Sequence, residues 1–278
     1  MRQAALMAKS LAQPLALRWA ARTDVGKVRS TNQDAVFAGD RLLAVADGMG
    51  GMAAGDVASK LAIDGLTALD EAFAGRDVVD ALRTAVADAN RRIREEVEAD
   101  PAKQGMGTTL TAMLFAEGRI GMVHIGDSRA YQLRGEEFAQ ITKDDTYVQM
   151  LVDEGRITAD EAGSHPQRSL VSRVLQGQPT DPAYSVFPAR PGDRYLLCSD
   201  GLSGVLSAET IEEVLRDYPD VDECATRLID LALRAGGPDN ITAIVAEVTG
   251  DEPPEPGLLE RLRDWFDRRG SGARLRTL

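Results

Sequence analysis

Thr108-Thr109-Leu110-Thr111-Ala112-Met113-Leu114-Phe115 and Arg119-Ile120-Gly121-Met122-Val123-His124-Ile125 flank the turn signal Glu117-Gly118. Two apolar, β-rich runs about so short a break predict a β-hairpin. A second pair follows at once, Ala130-Tyr131-Gln132-Leu133 and Phe138 to Ile141, turning near Gly135. Consecutive hairpins build antiparallel sheet, which rules against a doubly wound parallel fold.

Upstream, Leu15 to Arg22 reads as a first strand, and polar sequence from Arg29 runs into the short apolar Ala35-Val36-Phe37 before a turn at Gly39-Asp40. Leu42-Leu43-Ala44-Val45-Ala46 then ends on Asp47. Val57, Leu61, Ala62, Leu66, Leu69 and Phe73 keep helical spacing, and Gly75 breaks that helix. Asp77 can cap a second helix carrying Val78, Leu82, Val86, Ala89, Ile93 and Val97 on one face. Downstream, Lys143 to Gln167 is polar and interrupts the strand pattern, so it is expected outside the sheets. Pro188 to Asp193 turns into a strand ending at Asp200. Ser207 caps a helix, Val221 to Ala235 supplies its partner, and Ile241 to Val248 is a last strand.

Four acidic turns stand out against this frame. Asp47-Gly48-Met49-Gly50-Gly51, Gly126-Asp127-Ser128, Ser199-Asp200-Gly201 and Gly237-Pro238-Asp239-Asn240 each set an aspartate against strand-like sequence with glycine close by. One Asp-Gly is an ordinary turn. Four at the ends of neighbouring strands would gather carboxylates that cannot all stay ionised without a cation. All-oxygen sites select hard ions such as Mg²⁺ or Mn²⁺.

The chain has 278 residues, 44% apolar and 27% charged, as in an ordinary globular protein. Its net charge of −12 argues against general nucleic-acid or anionic-membrane binding. Two cysteines, Cys198 and Cys224, make no disulfide framework and fit a reducing cytoplasm. Two histidines, His124 and His165, leave little scope for a Ser-His-Asp mechanism. No stretch reaches the roughly 20 apolar residues of a membrane span. Residues 1–14 are expected to be a loose leader. Residues 250–278 read as an acidic, proline-rich linker and a short amphipathic helix (Leu258, Leu259, Leu262, Trp265, Phe266) flanked by six arginines.

Together, Arg29-Ser30-Thr31-Asn32-Gln33-Asp34, the Asp47 stretch, Gly107-Thr108-Thr109, Gly126-Asp127-Ser128-Arg129, Ser199-Asp200-Gly201 and Gly237-Pro238-Asp239-Asn240 resemble the protein phosphatase 2C family in its bacterial form. The resemblance runs from about Arg18 to Val248. It implies an α+β fold, a four-layer αββα sandwich of two antiparallel sheets flanked by antiparallel helix pairs. The catalytic domain would be residues 15–249, with a flap at about 143–168. It also implies a metal-dependent hydrolase, a protein serine/threonine phosphatase attacking phosphoSer and phosphoThr directly with a metal-bridging hydroxide. Two Mn²⁺ or Mg²⁺ ions are expected, with a third, weaker site. Asp47 would bridge two metals, one also bound by the Gly48 carbonyl. Asp200 and Asp239 would hold the other, and Asp127 with Asp200 the third. Asp34 would act through metal-bound water, and Arg29 would clamp the substrate phosphate. The expected partners are phosphorylated proteins and a Ser/Thr kinase whose targets it reverses, in a cytoplasmic monomer.

Several positions depart from the family pattern. Met49 stands where many relatives carry a histidine proposed as general acid, and Gln33 replaces an acid. His124 reads as a packed core residue. His165, before Pro166, and Arg168 and Arg173 are candidates for the substrate side. The alternatives are a catalytically silent phospho-binding regulator of the same fold and, disfavoured by the acidic charge, a metal-dependent nuclease.

Overall fold

The apolar runs Leu42-Leu43-Ala44-Val45-Ala46, Tyr195-Leu196-Leu197-Cys198 and Ile241 to Val248 lack the alternation of a half-exposed sheet because both of their faces are covered. In a computed structural model, which describes residues 15–50, 54–73 and 77–250, eleven strands among those residues form two antiparallel sheets. The first sheet has the order β1 (Ala16–Asp24), β11 (Ile241–Thr249), β10 (Arg194–Cys198), β7 (Arg129–Arg134), β8 (Glu137–Gln140). The second runs β2 (Asp34–Ala38), β3 (Leu42–Met49), β5 (Leu110–Ala116), β6 (Arg119–Ile125), β9 (Ala183–Pro188), and β4 (Gly107–Thr108) adds to β3.

Between the sheets lie Leu43, Val45, Met113, Ile120, Met122, Tyr195, Leu197, Ile244 and Val248. The intervening residues of the same strands face outward. Leu42, Ala44 and Ala46 meet helices α1 (Gly55–Leu66) and α3 (Val78–Ala99), which precede and follow the short α2 (Ala68–Ala72). On the other side Leu196, Cys198, Ala243 and Val245 meet α7 (Ala208–Asp217) and α8 (Val221–Arg234). The layers are therefore helix, sheet, sheet, helix, as expected. Asp77, Ser207 and Asp220 cap α3, α7 and α8 through their side chains, satisfying amides that the first turn leaves without a helical partner.

The predicted hairpin turns at Glu117 and Gly118, both at positive φ (51° and 74°). Four details differ from the sequence reading. The strand expected to end at Asp200 stops at Cys198, and Asp200 opens a short helix. The first helical stripe is divided at Thr67, and the Asp70 carboxylate of α2 accepts the Arg41 and Leu42 amides at 2.7 and 2.8 Å. β3 continues two residues past Asp47, since Asp34 pairs with Asp47 and Gly48 with Thr108. Strand β9 is an addition to the reading. The excursion between β8 and β9 carries α4 (Tyr147–Asp153) and α5 (Ala159–Gly163) outside both sheets. The described residues belong to the unit Leu15–Thr249, apart from Gly250. The leader at residues 1–14, the break at Gly75 and the linker and tail helix expected beyond residue 250 lie outside the described residues.

Candidate metal centre

The alternation that buries Leu43 and Val45 between the sheets puts Asp47 next in line on the same face. Antiparallel pairing sets Asp34 directly across from it. Asp200 opens the short helix α6 (Asp200–Ser203) just after β10, Asp127 occupies the turn between β6 and β7, and Asp239 lies two residues before β11. The topology thus brings the acids from both sheets to one rim of the inter-sheet core. A cleft of about 690 Å³ at that rim is lined by Asp47, Gly48, Asp127, Asp200, Asp239 and Arg29. Asp34 stands behind it. Met49 and Gln33 also face the cleft.

Desolvation, followed by the other carboxylates, sets the ionisation of the cluster. Burial pushes Asp34 up to about 6, against the Thr242 and Ser199 hydroxyls, which favour its charge. Asp47 is held well above the ordinary carboxylate range by burial and then by Asp34, Asp200, Asp127 and Asp239. Asp127 rises to about 7 through burial and Asp200. Asp200 rises through burial and Asp239, while contact with Asp47 and the Arg29 charge pull it the other way. Arg29 donates to Asp239 at 2.7 Å, and this bond raises the guanidinium pKa.

The hydrogen bonds that hold these groups are local and specific. Ser199 and Thr242 donate hydroxyls to Asp34 Oδ2 at 2.7 and 2.6 Å. The Asp47 amide donates to Thr109 Oγ1 at 2.9 Å, and its carbonyl accepts the Thr109 amide and the Thr108 hydroxyl, each at 2.9 Å. Asn240 shapes the Arg29 loop. Its Oδ1 accepts the Gln33 amide at 2.8 Å, and its Nδ2 donates to the carbonyls of Val25 and Thr31 at 2.9 Å. A Cβ at Gly48 would come within 2.1 Å of the Gly55 carbonyl oxygen, so any side chain would push the backbone out of the cleft.

Oxygen donors of this kind suit a hard divalent cation. Asp34 Oδ1 and Asp200 Oδ1 are sealed from solvent and accept no hydrogen bond among the described residues. Buried carboxylate oxygens of that kind lack the partner their burial demands. Among the described residues no three His, Cys, Asp or Glu side chains are drawn into a tight cage. Arg29 and two hydroxyls hold the Asp239 and Asp34 carboxylates instead. The chemistry of the donor set fits the ions.

The other candidates fall elsewhere. His124 is buried behind the Asp127 turn, with Nδ1 2.9 Å from Thr111 Oγ1 and Nε2 3.0 Å from the Lys143 carbonyl. His165 accepts the Gln167 amide at 3.1 Å and lies beside Tyr147, away from the cleft lining. Arg173 is committed to Asp145, Nε to Oδ1 at 3.0 Å. Arg168 lines a second cleft of about 360 Å³ that shares Asp127 and Asp200 and lies against α4 and α5. Asp56, in the first turn of α1, also lines the main cleft, and only its place just after the glycine-rich stretch hinted at it.

Comparison with known proteins agrees with this architecture. A protein phosphatase 2C family model matches residues 26–244. The serine/threonine protein phosphatase PstP of Mycobacterium tuberculosis is 60% identical over 234 residues, 84% of this chain but 45% of PstP, so this chain spans about half the length of that relative. A crystal structure of M. tuberculosis PstP covers 84% of this chain and 99% of its own, with 59% identity and a TM-score of 0.83. A second structure, the PstP catalytic domain in complex with two manganese ions, covers 85% of this chain and 100% of its own, with 57% identity and a TM-score of 0.81. Among the described residues no helix is long and apolar enough to cross a membrane. The sheets, the rim of acids and these matches establish that the chain belongs to the protein phosphatase 2C family.

Proposed function

We propose that this chain is a metal-dependent protein serine/threonine phosphatase whose catalytic domain is Leu15–Thr249. The observation that carries the reading is the rim itself, where carboxylates from both sheets converge beside one guanidinium and two of their sealed oxygens have no hydrogen-bond partner among the described residues. Asp47 and the Gly48 carbonyl, with Asp200 and Asp239, are the groups that would hold two divalent ions. Asp127 with Asp200 would hold a third, and Asp34 would contribute through water. Manganese is favoured by the PstP complex, which contains two such ions. When bound, such ions supply Lewis-acid stabilisation of phosphate charge and lower the pKa of coordinated water.

The remaining work falls to the chain's own residues. Arg29 is half-exposed and its donors form a planar fork, so it can take two oxygens of a phosphate monoester and orient phosphorus over the acids. Ser199 and Thr242 fix the Asp34 carboxylate, and Thr108 and Thr109 fix the backbone that carries Asp47. No side-chain nucleophile is needed. Both cysteines are buried, and burial pushes Cys198 up to about 12, which keeps it an unreactive thiol. The excursion between β8 and β9 serves as a flap beside the substrate, and phosphorylated proteins opposed to a Ser/Thr kinase in the cytoplasm are the natural substrates of such a site. The test is hydrolysis of a phosphothreonine peptide and an aryl phosphate in Mn²⁺ and in excess chelator, with an aryl phosphodiester as control. Turnover of both monoesters that requires the metal supports the reading. Undiminished turnover in chelator, or a preference for the diester, rejects it.

A further inference from the structure

His124 sits at the junction of two groups of hydrogen bonds and takes no part in the proposed chemistry itself. On one side, β6 faces β5 with Thr111 directly opposite His124, and the Thr111 hydroxyl lies 2.9 Å from both His124 Nδ1 and the Ser128 carbonyl. Ser128 Oγ is 2.8 Å from Thr109 Oγ1, which accepts the Asp47 amide. Thr109, Thr111, Ser128 and His124 are all buried. On the other side, His124 Nε2 faces the Lys143 carbonyl at 3.0 Å. Lys143 begins the stem of the excursion. The next residue, Asp144, grips Arg129 through Nε and Nη2, and Asp145 exchanges hydrogen bonds with Gly126 at 2.7 and 3.1 Å. The returning limb closes on the same place, with the Ser172 amide on the Asp145 carbonyl at 2.7 Å and the Tyr147 amide on Leu170 at 2.9 Å.

We propose that His124 is a positioning residue, a strut whose two ring nitrogens tie the Asp127 turn to the stem of the excursion and so set Asp127 relative to the substrate side. This rests on the phosphatase reading for its functional consequence but not for its geometry. Proton counting sharpens it. The Thr111 hydroxyl has one proton, and both the Ser128 and Lys143 carbonyls can only accept. Burial holds the ring below the usual histidine range, with Asp145, Asp144 and the Lys143 carbonyl opposing this and Arg173 reinforcing it. A neutral ring has one proton. With it on Nδ1, Thr111 is free to donate to Ser128 and the turn is held. With it on Nε2, the stem is held through Lys143. His124 and Lys143 also line an open cleft of about 450 Å³ together with Met150 and Arg173.

Two substitutions separate the halves of the strut. In His124→Asn the amide reaches the Nδ1 position and not Nε2, and in His124→Gln the reverse holds. Amide hydrogen exchange on the intact chain reads both without recourse to activity. H124N is expected to speed exchange about 10-fold in the stem, residues 143–147 and 170–173. Thr111→Val, which removes the proton donated to the Ser128 carbonyl, is expected to do so in the turn, residues 126–129, whereas H124Q keeps the stem as well protected as in wild type. The size corresponds to loss of one buried hydrogen bond. Kinetics adds a second readout. In H124N the KM for a phosphopeptide rises several-fold more than that for an aryl phosphate, and H124Q restores it. Wild-type turnover on the aryl phosphate checks the phosphatase reading separately. Equal exchange in all three variants and wild type, or the same loosening of both regions in H124N and H124Q, overturns the proposal. If H124N does not fold, H124Q and T111V decide: a turn as well protected in T111V as in wild type, or a stem loosened in H124Q, overturns it.

Discussion

Replacing Asp34 by Asn is expected to change stability in opposite directions with and without metal. Asp34 Oδ1 is sealed and has no hydrogen-bond partner among the described residues, and burial with neighbouring acids raises the carboxyl from 3.8 to about 6. That rise corresponds to about 3 kcal/mol of lost stability once the group is ionised in both states. Its folded pKa lies above its unfolded value. The stability it contributes is therefore whole below about pH 4 and is lost as pH rises through 6. Asp127, raised to about 7, extends the same decline. Asn is nearly isosteric, can still accept from Ser199 and Thr242, and brings a donor to face the other carboxylates. In excess chelator at pH 8, D34N should therefore melt above wild type by roughly 6–12 °C for a domain of this size, and the gap should shrink as pH falls toward 4. In Mn²⁺ the order should reverse. Ligand at a thousand times its Kd stabilises wild type by about 4 kcal/mol, and the variant has lost part of its donor set. Differential scanning calorimetry over pH 4–8 measures all of this. A variant that melts at or below wild type in chelator, or a gap that does not change with pH, would refute the reasoning that the acids destabilise one another.

Four further outcomes are expected. Asp47→Ala should keep the far-ultraviolet circular dichroism of wild type and lose at least about 10³-fold in metal-dependent kcat/KM, because it removes the acid between the others; full activity contradicts this. Arg29→Ala should cost about 10–100-fold in kcat/KM, as expected for loss of charged donors to phosphate, with Mn²⁺ affinity by calorimetry undiminished because the Asp239 carboxylate it holds at 2.7 Å is released. Gly201→Ala should destabilise the fold by about 2–3 kcal/mol in urea unfolding, since its Cβ would come within 1.9 Å of the Asn240 carbonyl oxygen, a backbone atom with little freedom to yield. Arg134→Ala strands the buried Asp193 carboxylate, which Arg134 holds at 2.6 Å through two nitrogens, and should cost about 3–5 kcal/mol in the same assay.

The parts of the fold that were legible share a cause. Hairpins 110–125 and 129–140 and the caps Asp77 and Ser207 depend on local periodicity and local hydrogen bonds, which sequence carries directly. β9 was not legible. Ala183-Tyr184-Ser185-Val186-Phe187-Pro188 lies at a sheet edge with Val186 exposed, so its pattern reflects one neighbour rather than a covered core. The extension of β3 past Asp47 was hidden too, because glycines that signal a turn here permit close packing against Gly55. In the site, Asp47, Asp127, Asp200 and Asp239 could be listed from their turns. Their convergence depends on strand order, and so does the capture of Arg29 by Asp239, 210 residues apart. Asn240 had the sequence signature of a turn residue, and only the fold shows it gripping the loop between β1 and β2 at Val25, Thr31 and Gln33.

The two rims of the sandwich are built on opposite electrostatic plans. At one, Arg134, Asp193, Tyr195 and Gln132 close the seam with charges that cancel within the protein. At the other, like charges face one another across it, Asp34 and Asp47 from one sheet against Asp200 and Asp239 from the other. The seam is thus neutral at one end and acidic at the other. A cation at the acidic end would bridge carboxylates of both layers, so that filling the site would also relieve the repulsion between them.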